Sequence, residues 1–103
     1  MEIVAVAGAA PEAFLVSPNE FDAFKVTLRG DRDAAAVDAA LALLGDRVDE
    51  DHVAVAPDTV RRLAGDAAAS EEWEAGFGAM VEYARGHGWM VGEAIRAHVE
   101  HED

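Results

Sequence analysis

The chain has no cysteine, so neither a disulfide framework nor a thiolate metal site can form, and packing alone must hold the fold. It is also poor in positive charge. A single lysine, Lys25, and seven arginines stand against 21 acidic residues, for a formal net charge of −13. Long-range attraction to nucleic acid or to an anionic membrane is therefore disfavoured. Solubility or salt adaptation accounts for such a balance without any partner, and an acidic protein of the immunity or antitoxin kind that meets a basic partner is the alternative. No apolar run is long enough to suggest a membrane span, and "MEIVAVAGAAPEAF" lacks the basic flank and cleavage region of a secretory signal. The expected location is the cytoplasm.

Catalytic signatures are missing too. Neither Ser17 nor Ser70 lies in a G-x-S-x-G context, which removes the usual support for a serine hydrolase. "AVAGAAPEA" follows an apolar run but has one glycine, where dinucleotide and Walker loops need several at fixed spacing. "HVEH" at the C-terminus brings His98 and His101 three apart without the HExxH spacing of a metalloprotease, so no metal and no cofactor is expected.

What is present describes one small domain. A chain of 103 residues, half of them hydrophobic and only seven aromatic, can build one modest core and not two. "EIVAVAG" is β-branched and bounded by glycine, as in a buried strand ending near Gly8. Residues 13–17 are ambiguous between a second strand and a loop. In "FKVTLR", Phe24, Val26 and Leu28 alternate with Lys25, Thr27 and Arg29, which predicts a strand covered on one side only. Asp31 or Asp33 can cap a following helix with Val37, Leu41 and Leu44 on its apolar face and Gly45 as its stop.

After the acidic stretch "DRVDED", read as a turn, "HVAVAP" predicts a short strand and Asp58 a helix cap, with Gly65 closing that helix. Ser70 caps a longer helix whose first turn carries Glu71 and Glu72, and whose stripe is Trp73, Phe77, Met80 and Ala84. Gly76 and Gly78 weaken that helix by about 1 kcal/mol each relative to alanine, so either a neighbour packs closely there or the helix is irregular. In "AIRAHVEH", Ile95, Ala97 and Val99 alternate with Arg96, His98 and Glu100 as in a final one-sided strand. The predicted class is α+β: residues 1–103 as one domain, a mainly antiparallel sheet of four to five strands, and two to three helices packed on one face. The expected core is Val4, Val6, Phe24, Val26, Leu28, Val37, Leu41, Leu44, Val53, Val55, Leu63, Trp73, Phe77, Met80, Ile95 and Val99.

The candidate functional residues follow from that fold. If both one-sided strands share a sheet, Lys25, Thr27, Arg29, Arg96, His98 and Glu100 lie together on the face away from the helices. That face is either an ordinary solvated surface with cross-strand ion pairs such as Arg29 to Glu100, or a docking face for a second copy, another protein or a small anionic molecule. Tyr83 and Trp89 each carry a polar tip and are placed to line a pocket between the last helix and the sheet. His87, between two glycines, fits a cap or loop residue. His52 follows three acidic neighbours, Asp49, Glu50 and Asp51.

Two functional classes result, beside the acidic immunity- or antitoxin-like protein that the charge balance offers. The first is a small acidic binding or accessory protein that self-associates through the polar sheet face. The second is a cofactor-free enzyme of the isomerase or cyclase type, with His98 or His87 as acid–base group, oriented by Glu100 or Glu93 and assisted by Arg96.

Overall fold

A computed structural model describes residues 1–102 as strands and helices around one core. The order is β1 (Glu2–Ala7), β2 (Glu12–Val16), β3 (Lys25–Gly30), α1 (Ala34–Ala42), β4 (Gly45–Asp49), β5 (His52–Val55), α2 (Pro57–Ala64), a 3-10 turn (Gly65–Ala69), α3 (Glu71–Gly86), β6 (Met90–Val91) and β7 (Ala94–His101). The seven strands form one sheet in the order β2-β1-β3-β7-β5-β4, with β6 also paired to β7.

The α+β class holds, but the sheet is mixed and larger than a mainly antiparallel one of four to five strands. β1, β3 and β7 run parallel to their neighbours among one another, whereas β2, β4, β5 and β6 pair antiparallel. Alternation of side chains fixes the face of a strand and says nothing of its direction. Residues 12–16 form β2, which answers the ambiguity over 13–17. The acidic "DRVDED" supplies an edge strand, β4, where a turn was expected, because nearly all its residues are exposed and leave no apolar alternation to read.

All three helices pack on the face that carries Ile3, Ala5, Val26, Leu28, Val53, Val55, Ile95, Ala97 and Val99. Val37, Ala40 and Leu41 of α1, Val60 of α2, and Trp73, Phe77, Met80 and Val81 of α3 complete that core. The other face has no helix over it. Val4 and Val6 belong to this second face and not to the helix-side core. Val4 is nonetheless fully buried, screened by its sheet neighbours, while Val6, Phe24 and Leu63 are only half-buried.

Local chemistry explains the helix ends. Ser70 Oγ accepts from the Trp73 N–H at 3.3 Å, as a serine N-cap should. At α1 the cap is different: Asp31 accepts from the Asp33 N–H at 2.9 Å, and Asp33 occupies the N-cap position without capping through its side chain. α2 starts at Pro57 with Ala56 as N-cap, so Asp58 lies in the first turn and not at the cap.

The loop between β2 and β3 carries Phe21 and Phe24 and is tied down at several points. The Trp73 indole N–H donates to the Pro18 carbonyl at 2.8 Å, and the Met1 nitrogen donates to the carbonyls of Glu20 and Ala23 at 2.8 and 3.0 Å. These bonds hold the two phenylalanines against α3 and the start of β3.

Candidate functional site

The sheet has a gap, and the gap is where the uncommitted chemistry gathers. Ile95 pairs with Val55 of β5 and with Met90 of β6, so β6 must lie on the opposite edge of β7 from β5, the edge that β3 uses farther along. On β7, β3 pairs with Val99–His101 alone, at the far end of that edge. Between β6 and β3 the sheet is open along Arg96–His98. Phe24 stands just before β3 on one side of the notch, and Trp89 just before β6 on the other, with the Arg96 N–H donating to the Trp89 carbonyl at 2.8 Å. A tight two-residue turn sets this geometry, with Gly92 at φ 58° as its first residue.

Below the notch, towards α3, lies a cavity of about 90 Å³ walled by Phe21, Phe24, Met80, Tyr83, Trp89, Ile95 and Arg96. On the open face the same notch continues into a groove lined by Phe24, His52, Trp89, Arg96 and His98. Phe24, Trp89 and Arg96 border both. Beside the mouth, Tyr83, His87 and Trp89 form an exposed ring cluster: His87 stacks on Trp89 at 4.8 Å and contacts Tyr83 at 4.3 Å. Tyr83 is 61% exposed and Trp89 44%, which is a large aromatic surface to leave in water.

Charge divides the open face into two regions. Lys25 Nζ donates to Glu100 at 3.1 Å, Thr27 donates to Glu2, and Arg29 pairs with Glu102, so the β3 end is laced together. Glu100 holds the Lys25 ammonium above its ordinary pKa through that hydrogen bond and its charge. The anticipated Arg29–Glu100 pair is thus replaced by Arg29–Glu102 and Lys25–Glu100. At the notch the situation is reversed. Of the seven arginines, the side chains of Arg96 and Arg62 make no hydrogen bond or ion pair among the described residues. In a chain of net charge −13, an unpaired guanidinium at the mouth of an apolar cavity is conspicuous.

Two histidines adjoin Arg96. His52 and His98 are directly opposed across β5 and β7, with ring centroids 5.5 Å apart. His52 Nδ1 is 2.9 Å from Asp49 Oδ1, and Asp49 also accepts the Asp51 N–H at 2.8 Å. Those hydrogen bonds, the one to His52 first, hold the Asp49 carboxyl below its ordinary pKa.

The structure thus brings Tyr83, Trp89, Arg96 and His98 to one notch and leaves Lys25, Thr27 and Arg29 in the ion-pair ladder beside it. His87 lies at the C-cap of α3, outside the cavity but against Trp89. Glu100 is bonded to Lys25 and Glu93 faces Arg85 at 3.6 Å, and no hydrogen bond joins either carboxylate to His98 or His87 among the described residues. Three contributors escaped the sequence reading. Phe21 lay in a loop without periodicity, Phe24 read as core, and the His52–His98 pairing depends on strand register. His98 and His101 point to opposite faces of β7, and no cluster of three or more metal-ligating side chains occurs among the described residues. No helix among them is long and apolar enough to cross a membrane.

No protein-family model, curated protein or solved structure matches the chain.

Proposed function

We propose that this chain is a small acidic binding protein whose binding site is the notch between β3 and β6. The observation that carries this reading is Arg96, whose guanidinium has no partner among the described residues and is set between an apolar cavity and two imidazoles, where the other lysine and arginine side chains, Arg62 apart, have partners. A site of this make-up, an apolar cavity with a guanidinium at its exposed mouth, fixes an anion through the guanidinium and an apolar group through the ring walls. Catalysis is the weaker reading, since the carboxylates that would orient His98 and His87 are engaged elsewhere.

The test is an amide NMR screen of small fragments against the labelled protein. Fragments that carry an anionic group should move the resonances of Trp89, Arg96 and His98, and Arg96→Ala should weaken those shifts at the same fragment concentration. Shifts that cluster on another surface would remove the assignment, and shifts at the notch that persist in Arg96→Ala would remove the guanidinium from it.

A second reading is favoured by a separate observation. The sheet face opposite the helices is bare, and Phe14 and Val16 of β2 lie on it at 39% and 37% exposure. Self-association through this face would cover them and would leave the notch at the border of the interface.

A further inference from the structure

The identity of the occupant can be narrowed, on the premise that the notch is the binding site. We infer that its ligand is a small monoanionic carboxylate carrying one ring-sized apolar group, with the ring in the cavity under Trp89 and the carboxylate on Arg96.

Size comes first. A cavity of about 90 Å³ is well below the several hundred Å³ of a pocket that swallows a drug-sized molecule, so it holds one ring or branched alkyl group. Its walls suit such a group, because Phe24, Met80 and Ile95 are apolar and Trp89 offers a ring face. The polar end must then emerge where the cavity meets the open-face groove, and that junction is bordered by Arg96. A guanidinium binds a carboxylate with two parallel N–H bonds, which fixes orientation as well as charge.

The surroundings set the charge of the ligand to one. Asp22 lies on the cavity wall, and Glu100 is two residues from His98 on the same face of β7. A second negative charge on the ligand would meet these carboxylates and the net negative field of the whole chain, whereas among the described residues Arg96 is the one unpaired guanidinium at the notch. A cationic ligand loses on the same guanidinium. An acidic peptide is disfavoured for a related reason: chain extending from the groove over the sheet runs onto the Lys25–Glu100 and Arg29–Glu102 ladder, where the basic groups are already taken.

The experiment uses three phenyl probes, phenylacetate, phenyl phosphate and phenethylamine, with acetate as the ring-free control. Binding is followed by amide shifts and by Trp89 fluorescence, Trp73 being buried. Phenylacetate should bind with a dissociation constant on the order of millimolar, as befits so few atoms, and about tenfold or more tighter than each other probe. Its affinity should drop about tenfold in Arg96→Ala and recover in part in Arg96→Lys. In Trp89→Ala, phenylacetate should fall to the level of acetate. Arg96 and Trp89 are both exposed, so these variants are expected to fold, and their melting curves check that they do.

Phenethylamine or phenyl phosphate binding at the notch as tightly as phenylacetate would overturn the ligand class and leave the notch as the site. If no probe shifts Trp89, Arg96 or His98, both the ligand class and the site assignment fall together, whereas shifts from phenylacetate that survive Arg96→Ala overturn the role of the guanidinium alone.

Discussion

The ring of Phe21 fills the space that a methyl group on Gly76 would occupy. Three of its carbons lie within 2.8 Å of where that Cβ would sit, closer than side chains approach one another. The glycine in the middle of α3 therefore has a packing reason: it lets the β2–β3 loop press an aromatic ring onto the helix beside the notch. Phe21 also meets Trp73 edge-on, at 6.2 Å between ring centres.

Gly78, two residues on, has nothing within 4 Å of the same position. The two glycines should thus respond oppositely to alanine. Gly78→Ala should stabilise the protein by up to about 1 kcal/mol through helix propensity. Gly76→Ala should destabilise it by about 1–3 kcal/mol, because the ring must leave its place. Thermal melts of the two variants decide the matter, and equal gains in both would contradict the Phe21 packing.

Truncation in the core offers a second test. Leu41 is 1% exposed on α1 and Phe77 is fully buried on α3, where it stacks on Trp73 at 4.8 Å. Leu41→Ala and Phe77→Ala should each cost roughly 2–5 kcal/mol in urea denaturation. Leu43, 41% exposed on the other side of the same segment, should lose less than about 0.5 kcal/mol on the same change. A Leu43 variant as damaged as the Leu41 variant would mean that α1 presents a different face to the sheet.

These outcomes bear on how far the residues alone reveal the fold. α3 was legible because its cap, its acidic first turn and its stripe of Trp73, Phe77, Met80 and Ala84 all agree. The shared face of β3 and β7 was legible from alternation. β4 was not, since an edge strand exposed on both faces has no pattern that separates it from a turn. The notch was illegible for a deeper reason. It exists because β6 and β3 divide one edge of β7, and that division depends on register between segments far apart in the chain. Arg96, His98, Tyr83 and Trp89 could each be singled out by residue type, but Phe24 and His52 join them only through strand pairing.

The Asp49–His52 contact carries a pH signature. The folded state holds the Asp49 carboxyl below its ordinary value of 3.8, so the contact's stabilisation is present above that value and is lost as pH falls through the lower folded one. Asp49→Asn should therefore lower the urea midpoint at neutral pH, and the difference from the wild type should close under acid conditions below 3.8. The Asp49 side chain is about half exposed, so the effect should be small. A gap that is the same at neutral and strongly acid pH would show that the side chain's shape, not its charge, is what matters.

The bare sheet face predicts weak pairing of two copies, and its dimensions say how weak. Six strands spaced by about 4.8 Å and about six residues long give a face of roughly 600 Å², below the ~800 Å² that each partner buries in a standard stable interface. Two protomers of charge −13 also repel, so contact should form where charge is locally balanced. The Lys25–Glu100 and Arg29–Glu102 pairs provide such a region, and Phe14 and Val16 beside it provide the apolar contact. Dimers should accordingly appear only at high micromolar concentration in sedimentation, and more of them at moderate than at low salt, because screening removes the net repulsion and spares the apolar contact. Thr27 is a poor site for a disrupting charge, being 7% exposed and bonded to Glu2, so the informative variant is Phe14→Glu with Val16→Glu. It should remain monomeric in both salts. A wild type that stays monomeric throughout would end the pairing idea, and a double variant that dimerises as well as the wild type would move the interface to a sheet edge, β2 or β4.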